Sequence, residues 1–131
     1  MFIDASALTA ILADEADASQ LAGRMQRGRS LTISPIVVWE TVVAVARIRG
    51  VRVAAARQVV VDYIHQAEIH VAAVPPEATA IALEAFERFG KGQHPARLNM
   101  GDCFAYACAR HLGEPLLFKG SDFPLADIEP A

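Results

Sequence analysis

The stretch Met1–Leu12, "MFIDASALTAIL", packs an apolar run, an acid and a helix-forming segment into a few residues. Met1–Ile3 is wholly apolar, Asp4 ends it, and Ala5–Leu12 has helical character. A strand covered on both faces reads as a continuous apolar run rather than an alternating one. The stretch therefore predicts a short buried strand feeding a helix, with a carboxylate at the strand's end.

The same pattern recurs along the chain. "LTIS" (Leu31–Ser34) predicts a second strand. Pro35 suits the first turn of a helix over Ile36–Arg49, which Gly50 stops. "EIHVAAV" (Glu68–Val74) predicts a strand or extended segment, and "PLLF" (Pro115–Phe118) a fourth strand. Further helices are predicted over Ala16–Arg27, Val53–Gln66, Glu77–Phe89 and from Gly101 to Gly113. Gly90–Asn99, "GKGQHPARLN", predicts a glycine-rich basic loop, and the closing "ADIEPA" a last short strand at the edge. Short apolar strands alternating with helices predict one domain over residues 1–131. Its class is α/β, a three-layer α/β/α domain with a central parallel sheet of four to five short strands. In such folds sites form outside the carboxyl ends of the strands.

Composition narrows the class further. The 131 residues are 53% hydrophobic, yet the longest apolar run, Ile33–Ile48, is broken by Pro35 and Glu40. A membrane span needs ~18 or more uninterrupted apolar residues, so no membrane role is expected. "MFIDAS" has no basic region before an apolar stretch, as a signal peptide would, and a cytoplasmic location is expected. Cys103 and Cys108 fall on one predicted helix, about 140° apart around its axis and ~7.5 Å along it, too far for a disulfide. They are expected to be core thiols. The net charge of −3 argues against nucleic acid as a partner, but it hides a segregation. Arg24, Arg27, Arg29, Arg47, Arg49, Arg52 and Arg57 fall in a stretch whose only acid is Glu40. They form either solvated helix faces or a surface for an anionic partner.

Four acids lie where strands end or helices begin. Asp4 ends the first strand, Asp102 begins a helix, and Asp122 lies in the turn after the fourth strand. Glu40 is embedded in "PIVVWETVVAVA", with apolar neighbours in nearly every direction. Each has an ordinary structural reading. Asp102 with Asn99 resembles a capping arrangement, Asp4 could cap its own helix, and Asp122 could hold a tight turn. Glu40 could snorkel outward. Together they suggest more. Two carboxylates 4 Å apart repel by on the order of 4 kcal/mol at an effective dielectric near 20. A converging group persists only if some members are protonated or a cation neutralises it. Oxygen donors without a Cys or His ligand pattern point to Mg²⁺ or Mn²⁺, which support hydrolysis of phosphodiesters.

The order and surroundings of these acids resemble the PIN-domain family, and within it the VapC-type toxin ribonucleases of toxin–antitoxin pairs. The matching segments are "FIDASAL", "SPIVVWETVVAVAR", "LNMGDCFAYACAR" and "LLFKGSDFPLADI", in the family's order and at typical spacing over almost the whole chain. The resemblance implies a metal-dependent endoribonuclease that acts on RNA, pairs with a cognate antitoxin protein and forms a homodimer. Asp4, Glu40 and Asp102 match the family's metal-binding acidic triad, and Asp122 its fourth, more variable acid. Ser6 matches a hydroxyl that supports the first acid, and Asp127 a structural or supporting acid in the closing "DI" element. Lys119, Arg97 and Lys91 are candidates for contact with substrate phosphate, and His94 for contact with RNA. The early helices, with Trp39, Val43, Ile48 and Val51, belong either to the core or to an antitoxin groove. The alternative is a PIN-like domain that binds RNA or protein without cleavage. A receiver or an aspartate-nucleophile phosphatase fits less well. The phosphatase wants a second Asp where this chain has Ser6. The receiver wants an acid pair and a phosphoacceptor that are not found.

Overall fold

The computed structural model describes all residues, 1–131. Four parallel strands, β1 (Phe2–Ile3), β2 (Thr32–Ile33), β3 (His70–Val71) and β4 (Leu116–Leu117), form one sheet in the order β3-β2-β1-β4. Six helices flank it: α1 (Ala5–Leu12), α2 (Ala18–Met25), α3 (Pro35–Arg49), α4 (Val53–Gln66), α5 (Ala78–Phe89) and α6 (Met100–Leu112). A 3₁₀ turn covers Phe123–Leu125. The α/β class, the parallel sheet and the flanking helices are as the sequence leads one to expect.

β1 is central, pairing Phe2 with Thr32 on one side and with Leu116 on the other. Phe2, Ile3, Leu116 and Leu117 are fully buried, which is why these strands are apolar throughout rather than alternating. β3 is the open edge, and both of its residues are exposed. The strands are shorter than the apolar runs that announce them. At the opposite edge the closing segment lies along β4 through the backbone bonds Leu116 N–Glu129 O (2.8 Å) and Ala131 N–Leu116 O (2.9 Å). The expected fifth strand there is only a single bridge, Leu116 with Pro130. Proline has no N–H to extend a ladder, so the pairing stops.

The helix ends follow local chemistry. Ser34 caps α3 by accepting from the Val37 N–H (3.3 Å), Pro35 occupies the first turn, and Gly50 ends the helix in the left-handed conformation (φ 62°). α2 is shorter than the predicted Ala16–Arg27 span, but Leu21 and Met25 form its buried stripe as expected. Cys103 and Cys108 are free, buried thiols, and both belong to the core. Against the sheet, α6 packs on β1 and β4, α5 pairs with α6, and α3 contacts α1, α4 and α6. This packing brings the amino-terminal end of α6 beside the first half of α3, at the edge where β1 ends.

Candidate functional site

Asp4 leaves β1 with its N–H bonded to Leu117 O (2.8 Å), and then caps α1. Its Oδ2 accepts from the Ser6 N–H (2.9 Å) and from the Ser6 hydroxyl (2.5 Å). That hydroxyl also accepts from the Lys119 N–H (3.0 Å), so the chain just past β4 holds the carboxylate from behind. Ser6, which the family resemblance sets beside the first acid, is thus hydrogen-bonded to it through both its N–H and its hydroxyl. Asp4 is only 2% exposed, and burial raises its carboxyl above the ordinary range against the opposing pull of Ser6.

Asp102 stands in the first turn of α6 in a full capping box. Its Oδ2 accepts from the Asn99 N–H (2.8 Å), while its own N–H donates to Asn99 Oδ1 (3.1 Å). The structural role read from the sequence is therefore real. It leaves the second carboxylate oxygen without a protein donor. Burial pushes Asp102 up to about 6, against the Asn99 bond and with help from the charges of Asp4 and Asp122.

Glu40 comes from the second turn of α3 and is half-buried. Burial, then the charges of Asp4 and Asp102, push its carboxyl up to about 7. It faces Gly101, where any Cβ would overlap the Glu40 carboxylate. Three elements thus deliver three mutually repelling acids to one cleft of about 670 Å³, lined also by Ser6, Asn99 and Lys119. An adjoining hollow of about 310 Å³ shares Asn99 and Asp102 with it and is lined by Lys91, Arg97 and Asp122. Asp122 is within electrostatic reach of Asp102.

The other expected residues fall in several places. Lys119 lines the cleft, but its ammonium is paired with Glu15 and with Asp17 (2.9 Å). Asp127 accepts from the Tyr106 hydroxyl (2.7 Å) and from Arg88 (2.7 Å), tying the C-terminal segment to α5 and α6. His94 packs edge-on against Phe89 and accepts from the Ala96 N–H (3.2 Å), shaping its loop. Of the seven segregated arginines only Arg47 lines the cleft. Trp39, Val43, Ile48 and Val51 are exposed, so the core half of their reading is set aside. Sequence reasoning paired Asn99 with Asp102 as a cap without placing it in the cleft wall, and it did not connect Glu15 or Asp17 to Lys119. The spacing of three gave the Asn99–Asp102 pair away; nothing in the sequence signals the two acids, since only the fold brings them to Lys119.

The donor set suits a hard cation. All the candidate donors are carboxylate oxygens, their charges oppose one another, and burial favours whatever neutralises them. No three His, Cys, Asp or Glu side chains converge closely enough to enclose an ion between them. Magnesium-type ions keep several waters and take one or two protein carboxylates, so an open set of this kind fits them.

The PIN domain model matches residues 1–129. The chain belongs to the PIN-domain family. It is 41% identical over 128 residues to Ribonuclease VapC of Mycolicibacterium smegmatis, covering 98% of this chain and 97% of the relative. It is 37% identical over 128 residues to Ribonuclease VapC30 of Mycobacterium tuberculosis, at 98% and 95% coverage. Among PIN-fold structures, M. tuberculosis VapC20, described as a sarcin–ricin-loop-cleaving toxin, superposes with a TM-score of 0.78. The match spans 99% of this chain and 97% of that one, at 19% identity, and speaks to the fold alone. No helix in this PIN domain is long and apolar enough to cross a membrane.

Proposed function

We propose that this PIN-domain chain is a Mg²⁺- or Mn²⁺-dependent endoribonuclease, the toxin half of a toxin–antitoxin pair that acts in the cytoplasm. The observation that carries the reading is the delivery of Asp4, Glu40 and Asp102 from three separate elements into one cleft. The raised protonation of all three and the space left by Gly101 beside Glu40 accompany it. The full-length likeness to proteins named VapC ribonucleases supports it.

Asp4 and Asp102 would hold the ion, with Glu40 and Asp122 nearby. When bound, the ion polarises a phosphoryl oxygen and makes water more acidic. The remaining work falls to the chain. Ser6 and Asn99 fix two carboxylates in place, which removes reorganisation from the reaction. Glu40, poised at about 7 and lining the cleft, can take a proton from an attacking water near neutral pH. Lys91 and Arg97 border the adjoining hollow and would meet phosphates of the same strand. A protein antitoxin would cover the cleft from the side of the early helices, and the toxin would be a homodimer.

The test is cleavage of RNA by purified protein with Mg²⁺ or Mn²⁺, with and without EDTA. Asp4→Asn and Asp102→Asn are expected to lose cleavage while keeping their caps and fold. If both variants cut as well as wild type, the proposal fails. A PIN-like domain that only binds RNA would instead show saturable binding with no product in any condition.

A further inference from the structure

α3 carries two adjacent stripes into the cleft. One is Glu40, Ala44 and Ile48; the other is Trp39, Val43 and Arg47. Positions four apart share a helix face; Trp39 lines the same cleft as the adjacent Glu40, and Arg47 lies ~12 Å further along the axis. Trp39 is the only tryptophan in the chain, and it is 65% exposed. A large aromatic left open to water beside an acid cluster is not explained by the core, to which its helix turns Val37, Val42 and Val45 instead. It has no aromatic or cation–π partner within the chain.

The cations of the cleft divide in a telling way. Lys119 is occupied by Glu15 and Asp17, whereas Arg47 is exposed and takes part in no ion pair. An anionic strand crossing the acids can therefore meet Arg47 in the cleft and Lys91 with Arg97 in the hollow that shares Asn99 and Asp102 with it. Taking the ribonuclease reading as the base, we infer that Trp39 and Arg47 form a nucleotide subsite. The indole stacks an unpaired base beside the scissile phosphate, and the guanidinium takes a neighbouring phosphate. Stacking on an aromatic face needs a base turned out of a helix, and every base offers such a face. The pairing of one aromatic with one unengaged guanidinium, continuous with the acids, matches a nucleotide better than a purely apolar protein segment.

Trp39 is itself the probe. Adding a short unstructured oligoribonucleotide in EDTA, at low salt, is expected to quench its fluorescence saturably. The same strand annealed to its complement is expected to quench far less. With labelled RNA, Trp39→Ala and Arg47→Ala should each bind roughly tenfold or more weakly, and Trp39→Phe should recover most of the loss. In Mg²⁺ or Mn²⁺ cleavage, Trp39→Ala should raise KM with little change in kcat. An exposed position leaves the melting temperature as the fold control. Wild type that cleaves, with Trp39→Ala unchanged in KM and duplex cut as well as single strand, overturns this inference and spares the nuclease reading. Quenching by single strand without cleavage under any metal condition does the reverse. If Trp39→Ala leaves RNA binding intact and abolishes only binding of the cognate antitoxin protein, the stripe is a protein interface and the inference is wrong.

Discussion

Replacing Gly101 by alanine should separate stability from catalysis. The added methyl would collide with the Glu40 carboxylate. Overfilling a rigid core typically costs 1–3 kcal/mol. Here the obstacle is the far end of a flexible, half-buried side chain, which can rotate outward. Gly101 also lies in the first turn of α6, where alanine is favoured over glycine by at most the ~1 kcal/mol of a helix interior. The two effects leave Gly101→Ala at, or slightly above, wild-type stability. A gain of 1 kcal/mol in a chain of this size moves the melting temperature by ~3–4 °C. Catalysis should respond differently. Displacing a reacting group by about 1 Å can cost about 100-fold in rate, and Glu40 must move at least that far. The assay pairs thermal melting with single-turnover RNA cleavage in Mg²⁺ or Mn²⁺. Glu40→Gln and the double variant close the cycle. Because both single changes remove the same carboxylate from the same place, the double variant should be no worse than Glu40→Gln alone. Cleavage by Gly101→Ala at the wild-type rate would refute the placement of Glu40 against α6 as the working geometry. Full additivity in the double variant would refute the claim that Gly101 acts through Glu40.

The metal-free protein should lose stability as pH rises from about 4.5 to 7. Glu40 and Asp102 have folded pKa values above their unfolded ones, so the folded state holds more protons in that window. Melting in EDTA should be highest near the bottom of the window, and Mg²⁺ should flatten the slope by stabilising the ionised acids; a rise with pH in EDTA would contradict this. Asp4→Ala should be less stable than Asp4→Asn by about 1 kcal/mol, because Asp4 caps α1 and only the amide keeps an acceptor. Denaturant melts of the two variants check this, and equal midpoints would remove the cap from the account. Arg97→Ala should weaken RNA binding and reduce its log–log salt slope by ~0.7, as loss of one single-strand phosphate contact does. Lys119→Ala should change that slope much less, since Glu15 and Asp17 already engage the charge; a larger effect at Lys119 would reverse the assignment of these cations.

The strands, the helices and the acids at the ends of elements were legible along the chain because each rests on neighbours in sequence. β1 is a run of apolar residues because both its faces are covered, and Gly50 stops α3 because only glycine enters the left-handed turn without strain. Asp102 with Asn99 could be read as a capping box from a spacing of three. What the order of residues left open depends on contacts between distant segments. Trp39 and Val43 suit a core or a surface equally well, and the packing of α3 on α1, α4 and α6 turned them outward. Lys119 reads as a free cation until α1 and α2 place Glu15 and Asp17 against it. Glu40 reads as a greasy helix's single acid until α6 brings Gly101 and Asp102 alongside. Local propensity and periodicity are written residue by residue, so the sequence alone determined the class of fold and nominated the acids. Burial and charge coupling are properties of the assembled chain, so only the tertiary structure decided which cations are unengaged, which apolar residues face the cleft, and how far each carboxyl is held from its ordinary ionisation.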